Sequence, residues 1–182
     1  MLPTHLPRLV DPPVVLRAFE ATDAPLIASA ATDPLIPVIT TVPVSGSPDE
    51  VAAYLARQQD RLAEGVGYSF AIADAQTDAA VGQIGLWTRD IRAGRASIGY
   101  WIAAQHRRRG YARAALRALS TWASSLPEVE RLQLYVEPWN EASWRAAEAC
   151  GFQREGLLRS WERVGDERRD MYSYARTAAS DD

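Results

Sequence analysis

The chain has 182 residues, of which 47% are hydrophobic and 24% are charged, and it carries a formal net charge of −3. This length fits a single domain, and no apolar run approaches the roughly 18 residues that would span a bilayer. One cysteine excludes an intramolecular disulfide, and the absence of lysine excludes Schiff-base chemistry. The two histidines lack ligand spacing, which argues against a protein-built zinc or iron site, so we predict no metal.

The first segment of the chain, residues 1–13, contains four prolines, and we predict that it is extended. It lacks the basic and apolar regions of a secretory signal, which favours a cytoplasmic protein that makes no contact with a membrane. We predict one domain over residues 14–176 and a short C-terminal tail over residues 177–182.

The first half of this domain predicts a strand, two helices and three further strands. The strand covers residues 14–19, and the helix after it covers residues 22–31 with Thr22 or Asp23 as its cap. The loop over residues 33–47 is rich in proline yet apolar, so it could form the wall of a pocket. The later elements are a helix from Ser47 or Asp49 to Glu64 and antiparallel strands over residues 68–73, 80–87 and 95–102.

The second half alternates helices and strands. The elements are a helix over residues 110–124, a strand over 132–136, a helix capped by Asn140 that runs to Cys150, and closing strands over 152–158 and 171–174. A strand, a helix and a strand in succession imply a crossover connection. The whole order predicts an α+β fold in which a mixed sheet lies between helices, in three α/β/α layers.

The most informative stretch joins the strand at residues 95–102 to the helix at residues 110–124. It reads Gln105-His106-Arg107-Arg108-Arg109-Gly110-Tyr111-Ala112. Unpaired backbone N–H groups and the dipole at a helix N-terminus favour an anion such as a pyrophosphate, and the arginines add positive charge. An ordinary turn with solvated arginines is the alternative interpretation.

Two motifs resemble a known family. Arg107-x-x-Gly110-x-Ala112 is similar to the acetyl-CoA signature of the GNAT superfamily of N-acetyltransferases. Asn140-x-x-Ser143, followed by Cys150-Gly151-Phe152, Glu155-Gly156 and Arg159, resembles the RimJ/RimL-type ribosomal-protein acetyltransferase branch. The resemblance covers roughly residues 14–174. It implies a mostly antiparallel sheet with a splayed pair of strands at the acetyl-CoA site, and transfer of an acetyl group to a primary amine.

The resemblance also implies which residues bind acetyl-CoA. Backbone groups near Trp101, Ile102 and Ala103 would pair with the pantetheine arm as an added strand would. Asn140 would bind the pantetheine side, and Ser143, one helical turn on, would lie near the thioester sulfur. The pyrophosphate would be held by backbone amides of the turn: Arg107, Arg108, Arg109, Gly110, Tyr111 and Ala112.

Acetyl transfer requires a neutral amine, a base that removes its proton, and an acid that meets the departing thiolate. We assign Ser143 as the acid, and the resemblance implies that Glu162 is the base, acting through water. Glu137 is the alternative base, and Tyr135 is a weaker one. Glu162 could instead be a surface carboxylate paired with a neighbouring arginine.

The chain departs from the family at one position. Ala147 stands where other GNAT proteins often have a catalytic tyrosine, so Ser143 or solvent must serve as the acid. A backbone N–H near Ile102 would stabilise the oxyanion of the tetrahedral intermediate. Trp139 and Trp161 could form an aromatic wall for the acceptor, with ordinary packing as the alternative.

Three hypotheses about function follow from these observations. The first is an N-acetyltransferase that acts on a protein N-terminus or on a small-molecule amine, as a monomer or a homodimer. The second is a catalytically idle module that binds or senses acyl-CoA. The third is nucleic-acid binding by the arginines of residues 107–117, which the net acidic charge disfavours, so we predict no nucleic-acid partner.

Overall fold

The computed structural model describes residues 1–177, so residues 178–182 of the predicted tail lie outside the described residues. Its strands are β1 (Leu9–Asp11), β2 (Val14–Arg17), β3 (Gly67–Asp74), β4 (Ala80–Trp87), β5 (Arg95–Ile102), β6 (Arg131–Val136), β7 (Gln153–Val164) and β8 (Glu167–Thr177). Its helices are α1 (Ala24–Ala30), α2 (Ile36–Ile39), α3 (Pro48–Ala63), α4 (Tyr111–Ser124) and α5 (Glu141–Glu148). Within residues 1–177 no helix combines the length and hydropathy needed to cross a membrane.

All eight strands form one sheet in the order β1-β2-β3-β4-β5-β6-β8-β7. Every neighbouring pair is antiparallel except β5 and β6, which are parallel because α4 carries the chain back across the sheet. These two strands pair only where Arg95–Ser97 meets Arg131–Gln133, and beyond that they separate. The predicted mixed sheet with one splayed pair is therefore confirmed.

Two apolar layers hold the sheet between helices. On one face, a core cluster joins Leu116 and Leu119 of α4 with Ala147 of α5 and the sheet. On the other face, a second cluster joins Ile27 of α1 and Tyr54 of α3 with the sheet. The three-layer arrangement expected from the order of elements is thus present.

The start of α1 differs from the prediction. The helix begins at Ala24, after a short 3-10 turn over Ala21–Asp23. The Asp23 carboxylate accepts a hydrogen bond from the Glu20 N–H at 2.9 Å and pairs with the buried Arg17, so it does not cap α1 with its side chain. Asp23, one of the two predicted caps, does occupy the N-cap position of α1, but its side chain makes no capping hydrogen bond.

The closing hairpin is longer than predicted. Strands β7 and β8 pair beyond a bulge, with Glu162 opposite Arg169, and turn at Gly165, whose φ is +61°. Their outer halves are charged and lack apolar alternation, so the sequence showed only the inner halves as strands. Consequently Trp161 and Glu162 lie on a strand and not on a loop.

Candidate active site

The gap between β5 and β6 exposes backbone groups of β5. The Ala103 N–H donates to the Val81 carbonyl at 3.0 Å, while the Gly94 carbonyl accepts from the Arg131 N–H at 3.0 Å. Because backbone groups alternate along a strand, odd-numbered residues of β5 point to β4 and even-numbered residues point to β6. The groups that face the gap therefore belong to Tyr100 and Ile102.

This register corrects one sequence-based expectation. Trp101 and Ala103 were expected to offer backbone groups to a pantetheine arm, but theirs point towards β4, and both groups of Ala103 are hydrogen bonded. At Ile102 the carbonyl already accepts from Arg107 Nε at 3.0 Å, which leaves its N–H facing the gap. The sequence pattern identified the strand but could not fix which of its residues face the gap.

A cavity of about 620 Å³ opens at the splay. Its walls come from residues 35–41, from β5 and β6, from the first turn of α5, and from the β7 end of the closing hairpin. The loop over residues 33–47, which folds in part into α2, thus lines a pocket as expected. Glu137, Trp139, Asn140, Ser143 and Glu162 from the sequence prediction all line this cavity.

Asn140 and Ser143 are joined by the cap of α5. The Asn140 side chain accepts a hydrogen bond from the Ser143 N–H at 3.2 Å, which fixes the first turn of the helix. The Ser143 Oγ lies 2.7 Å from the hydroxyl of Tyr100, on the neighbouring strand β5. Burial raises the pKa of Tyr100 to about 12, so its hydroxyl stays protonated at neutral pH.

Sequence reasoning did not select Tyr100 as a site residue. The tyrosine lies in the strand just before the turn motif, 43 positions from Ser143, and no spacing rule joins two residues so far apart. Pairing of β5 with β4 and packing of α5 beside the splay bring their hydroxyls together. A tyrosine on the strand before the turn was the only available signal.

Two carboxylates line the cavity, at the end of β6 and on β7. The pKa of Glu162 is raised above its usual range, first by partial loss of hydration and then by repulsion from Glu137. No ion pair of Glu162 occurs among residues 1–177, so the surface pairing with a neighbouring arginine is not observed. Glu137 has only a distant contact, 3.9 Å from Arg169 Nε.

The two tryptophans differ in their relation to the cavity. Trp139 lines it and is 59% exposed. Trp161 is 49% exposed and packs against the ring of Tyr135, with 5.5 Å between the ring centroids, and does not line the cavity. The structure therefore brings Trp139 to the cavity. Tyr135 lines the cavity and separates Trp161 from it.

The turn before α4 presents unpaired backbone amides. The positive φ angles of Arg108 (+64°) and Gly110 (+81°) turn the chain sharply. Within the described chain, none of the backbone N–H groups of residues 108–113 donates a hydrogen bond. Arg107 braces the turn, because its guanidinium bonds the Ile102 carbonyl and, at 2.7 Å, Asp33. These free amides suit the pyrophosphate of a coenzyme A.

Tyr111 has a structural side chain. It is buried, and its hydroxyl donates to Asp74 at 2.6 Å, which ties α4 to the end of β3. Its contribution to anion binding would therefore come from the backbone, as would that of Ala112. No three His, Cys, Asp or Glu side chains of residues 1–177 are grouped as metal ligands.

Comparison with known proteins identifies relatives. Residues 14–153 match the family described as the acetyltransferase (GNAT) domain. The "uncharacterized N-acetyltransferase p20" of Bacillus licheniformis is 27% identical over 162 residues, which are 89% of this chain and 91% of that protein.

Solved structures share the fold. A GNAT-family acetyltransferase from Bacillus anthracis superimposes with a TM-score of 0.80 at 18% identity, over 97% of this chain and all of that one. Mycobacterium smegmatis RimJ, in complex with a CoA-disulfide, has a TM-score of 0.78 at 23% identity, over 96% of this chain and 87% of its own.

Proposed function

The chain belongs to the GNAT acetyltransferase family and is an acetyl-CoA-dependent enzyme, and from this premise we propose that it acetylates a primary amine by direct attack in the cavity at the splay. One observation carries the proposal. Two carboxylates, Glu137 and Glu162, and the linked hydroxyls of Ser143 and Tyr100 line a single cavity that opens onto free backbone groups of β5.

Acetyl-CoA, when bound, supplies the acetyl group as a thioester. The free amides of residues 108–112 would hold its pyrophosphate, and the groups of Tyr100 and Ile102 that face the gap would pair with its pantetheine arm. Asn140 lies beside this path at the start of α5. Each of these residues has a hydrogen-bond donor or acceptor that the hydrogen bonds of its own helix or strand do not fully use.

Glu162 is the proposed base. A primary amine is protonated at neutral pH and must lose that proton before it can attack a carbonyl carbon. The raised pKa of Glu162 makes it a stronger proton acceptor than an ordinary carboxylate, and Glu137 contributes to that shift. Glu162 would take the proton through a water molecule.

Ser143 is the proposed acid, and Tyr100 orients it. Because the phenol of Tyr100 remains protonated, it can donate its only hydrogen to Ser143 Oγ. The hydrogen of Ser143 is then free to point at the departing sulfur. Ala147 of α5 stands where other GNAT proteins often have a catalytic tyrosine. Tyr100 supplies a phenol from β5 instead. The Ile102 N–H would stabilise the oxyanion.

A thiol-release assay with acetyl-CoA tests this proposal. The acceptors are N-terminal peptides, amino acids, polyamines and aminoglycosides. We expect turnover on one amine class, and we expect Glu162→Gln to lower kcat/KM about 100-fold because the base is lost. Ser143→Ala should lower kcat about 10-fold, and Tyr100→Phe somewhat less, because each removes a hydrogen bond near the sulfur.

Glu130→Gln is the matched control, since this exposed carboxylate lies just before β6 and outside the cavity, and it forms no ion pair among residues 1–177. Its activity should equal that of the unmodified protein. Coenzyme binding by calorimetry with no transfer to any amine of the panel would contradict the proposal. Full activity of both Glu162→Gln and Ser143→Ala would reject the assigned roles.

A further inference from the structure

An arginine in the wall of the cavity has no role in the proposed chemistry. Arg61 lies in the last turn of α3 and lines the same cavity as the two carboxylates. Its guanidinium stacks over the ring of Trp87, 4.6 Å from the ring centroid. The Nε donates to Gln58 Oε1 at 2.9 Å, and Nη2 donates to Thr41 Oγ1 at 3.3 Å. Arg61 is therefore held in one orientation at the cavity.

The residue that orients Arg61 belongs to a buried polar network. Gln58 Oε1 also accepts from Gln83 Nε2 at 2.9 Å and from Ser69 Oγ at 3.0 Å. Gln83 in turn accepts from Trp101 Nε1 at 2.9 Å. Such a satisfied network is rigid, so the position of Arg61 is built into the fold and does not depend on a flexible surface side chain.

Arg61 lacks a counterion. Among residues 1–177, no carboxylate lies within 4.0 Å of its guanidinium. The nearby charges are Arg57, which repels it, and Glu64, which acts only over a longer distance. Partial burial lowers the pKa of Arg61 from its usual range, because the site removes water from the cation. A half-buried cation without a carboxylate is costly, unless a ligand supplies the anion.

The second arginine in the cavity lining differs from Arg61. The side chain of Arg163 is 66% exposed and lies 3.8 Å from Asp166 on the hairpin turn. Solvent and that carboxylate balance its charge. Only one of the two arginines thus combines partial burial, a fixed orientation and the lack of an acidic neighbour in the described chain.

From these contacts we infer that Arg61 binds a carboxylate of the acceptor, so the acceptor is an amine that also carries a carboxylate. This inference rests on the proposed function, because it assigns the amine end of the same molecule to Glu137 and Glu162. Guanidinium groups bind carboxylates through two parallel hydrogen bonds, and Nη1 of Arg61 has no partner among the described residues. A free amino acid and a peptide with an acidic side chain share this chemistry.

Calorimetric titration of the CoA-loaded protein tests the inference without requiring turnover. Two matched pairs of amines are compared: serine with serinamide, and Ser-Asp-amide with Ser-Asn-amide. In at least one pair, we expect the member with the carboxylate to bind about 10-fold more tightly than the member with the amide. A charge-assisted hydrogen bond contributes about this much affinity. The pair that shows the preference distinguishes a free amino acid from a peptide.

Arg61→Gln should remove this preference, so that the two members of the pair bind within twofold of each other. Arg57→Gln is the matched control on the same helix, because Arg57 is exposed and does not line the cavity, and it should keep the preference. Equal binding within both pairs by the unmodified protein would overturn the inference, whatever the variants do. Survival of the preference in Arg61→Gln would also overturn it.

The test separates the two proposals. A carboxylate preference that depends on Arg61, together with no acetyl transfer to the bound amine or to any amine of the assay panel, would support the anion site and contradict the proposed function. Acetyl transfer to amines with no carboxylate preference in binding would support the proposed function and reject the anion site.

Discussion

The negative charge of Glu137 acts on the carboxylate of Glu162 at the cavity. Glu137 directly follows β6 and Glu162 lies on β7, and these two strands are separated in the sheet by β8. Loss of hydration is the larger cause of the raised pKa of Glu162, and the negative charge of Glu137 is the second. A carboxylate with a raised pKa accepts a proton more readily than an ordinary carboxylate does, which suits a general base.

Glu137→Gln tests this coupling at the level of single residues. Removing the neighbouring negative charge favours ionisation of Glu162, so the pKa of Glu162 should fall towards its ordinary value. The measurement is a carbon NMR titration of the Glu162 carboxyl group in both proteins. Glu130→Gln, just before β6 and outside the cavity, should leave the titration unchanged. An unchanged pKa in Glu137→Gln would mean that hydration alone sets it.

At the scale of elements, the turn into α4 illustrates how backbone conformation creates a binding feature. Gly110 has a φ of +81°, a region that other residues enter at a cost, and an added Cβ there would meet no atom within 4 Å. Packing therefore does not require glycine at this position, and the positive φ of Gly110 sets the direction of the free amides.

Gly110→Ala should weaken binding of acetyl-CoA about 10-fold, since the left-handed conformation costs a non-glycine residue about 1–2 kcal/mol and the methyl group lies where the anion approaches. Gly65→Ala is a close control, because Gly65 has a φ of +69° and equally open space. Both variants should lose similar thermal stability. Calorimetric titration with acetyl-CoA would contradict the role of Gly110 if the two variants bound equally well.

The elements themselves were predictable to different degrees. Five elements have clear apolar periodicity and end at recognisable turn residues, and each was predicted within a few residues of its observed bounds. These elements are helices α3 and α4 and strands β3, β4 and β5. The outer half of the β7–β8 hairpin was not, because its strands are exposed and charged on both faces. Pairing between the two strands, and not burial, defines that half.

At the scale of the whole molecule, a buried ion pair connects the first long strand to the first helix. Arg17 at the end of β2 and Asp23 before α1 are 5% and 4% exposed and are joined by two hydrogen bonds of 2.9 Å. Because α1 belongs to the second core layer, this pair fixes that layer against the sheet. Without Asp23, Arg17 would keep Asp78 as its carboxylate partner, at 3.3 Å and half-exposed to solvent.

Asp23→Asn should lower the free energy of unfolding by about 3 kcal/mol, because it leaves the Arg17 cation buried without its main partner. Urea unfolding measures this change. Asp11→Asn removes the partner of Arg117 in an exposed bidentate pair and should have a much smaller effect. Equal destabilisation by the two substitutions would show that burial does not determine how much the pair of Arg17 and Asp23 contributes to the free energy of unfolding.

The sequence by itself determined the family, the order of most elements and the two local motifs. The turn into α4 and the Asn140 cap depend on residues close in the chain, so their spacing is enough to predict them. Only the tertiary structure decided which residues of β5 face the gap, since a strand shows its period but not its register. It alone joined Tyr100 to Ser143 and brought Arg61 to the cavity, because those contacts link residues that are distant in the chain and meet only when the sheet and helices pack.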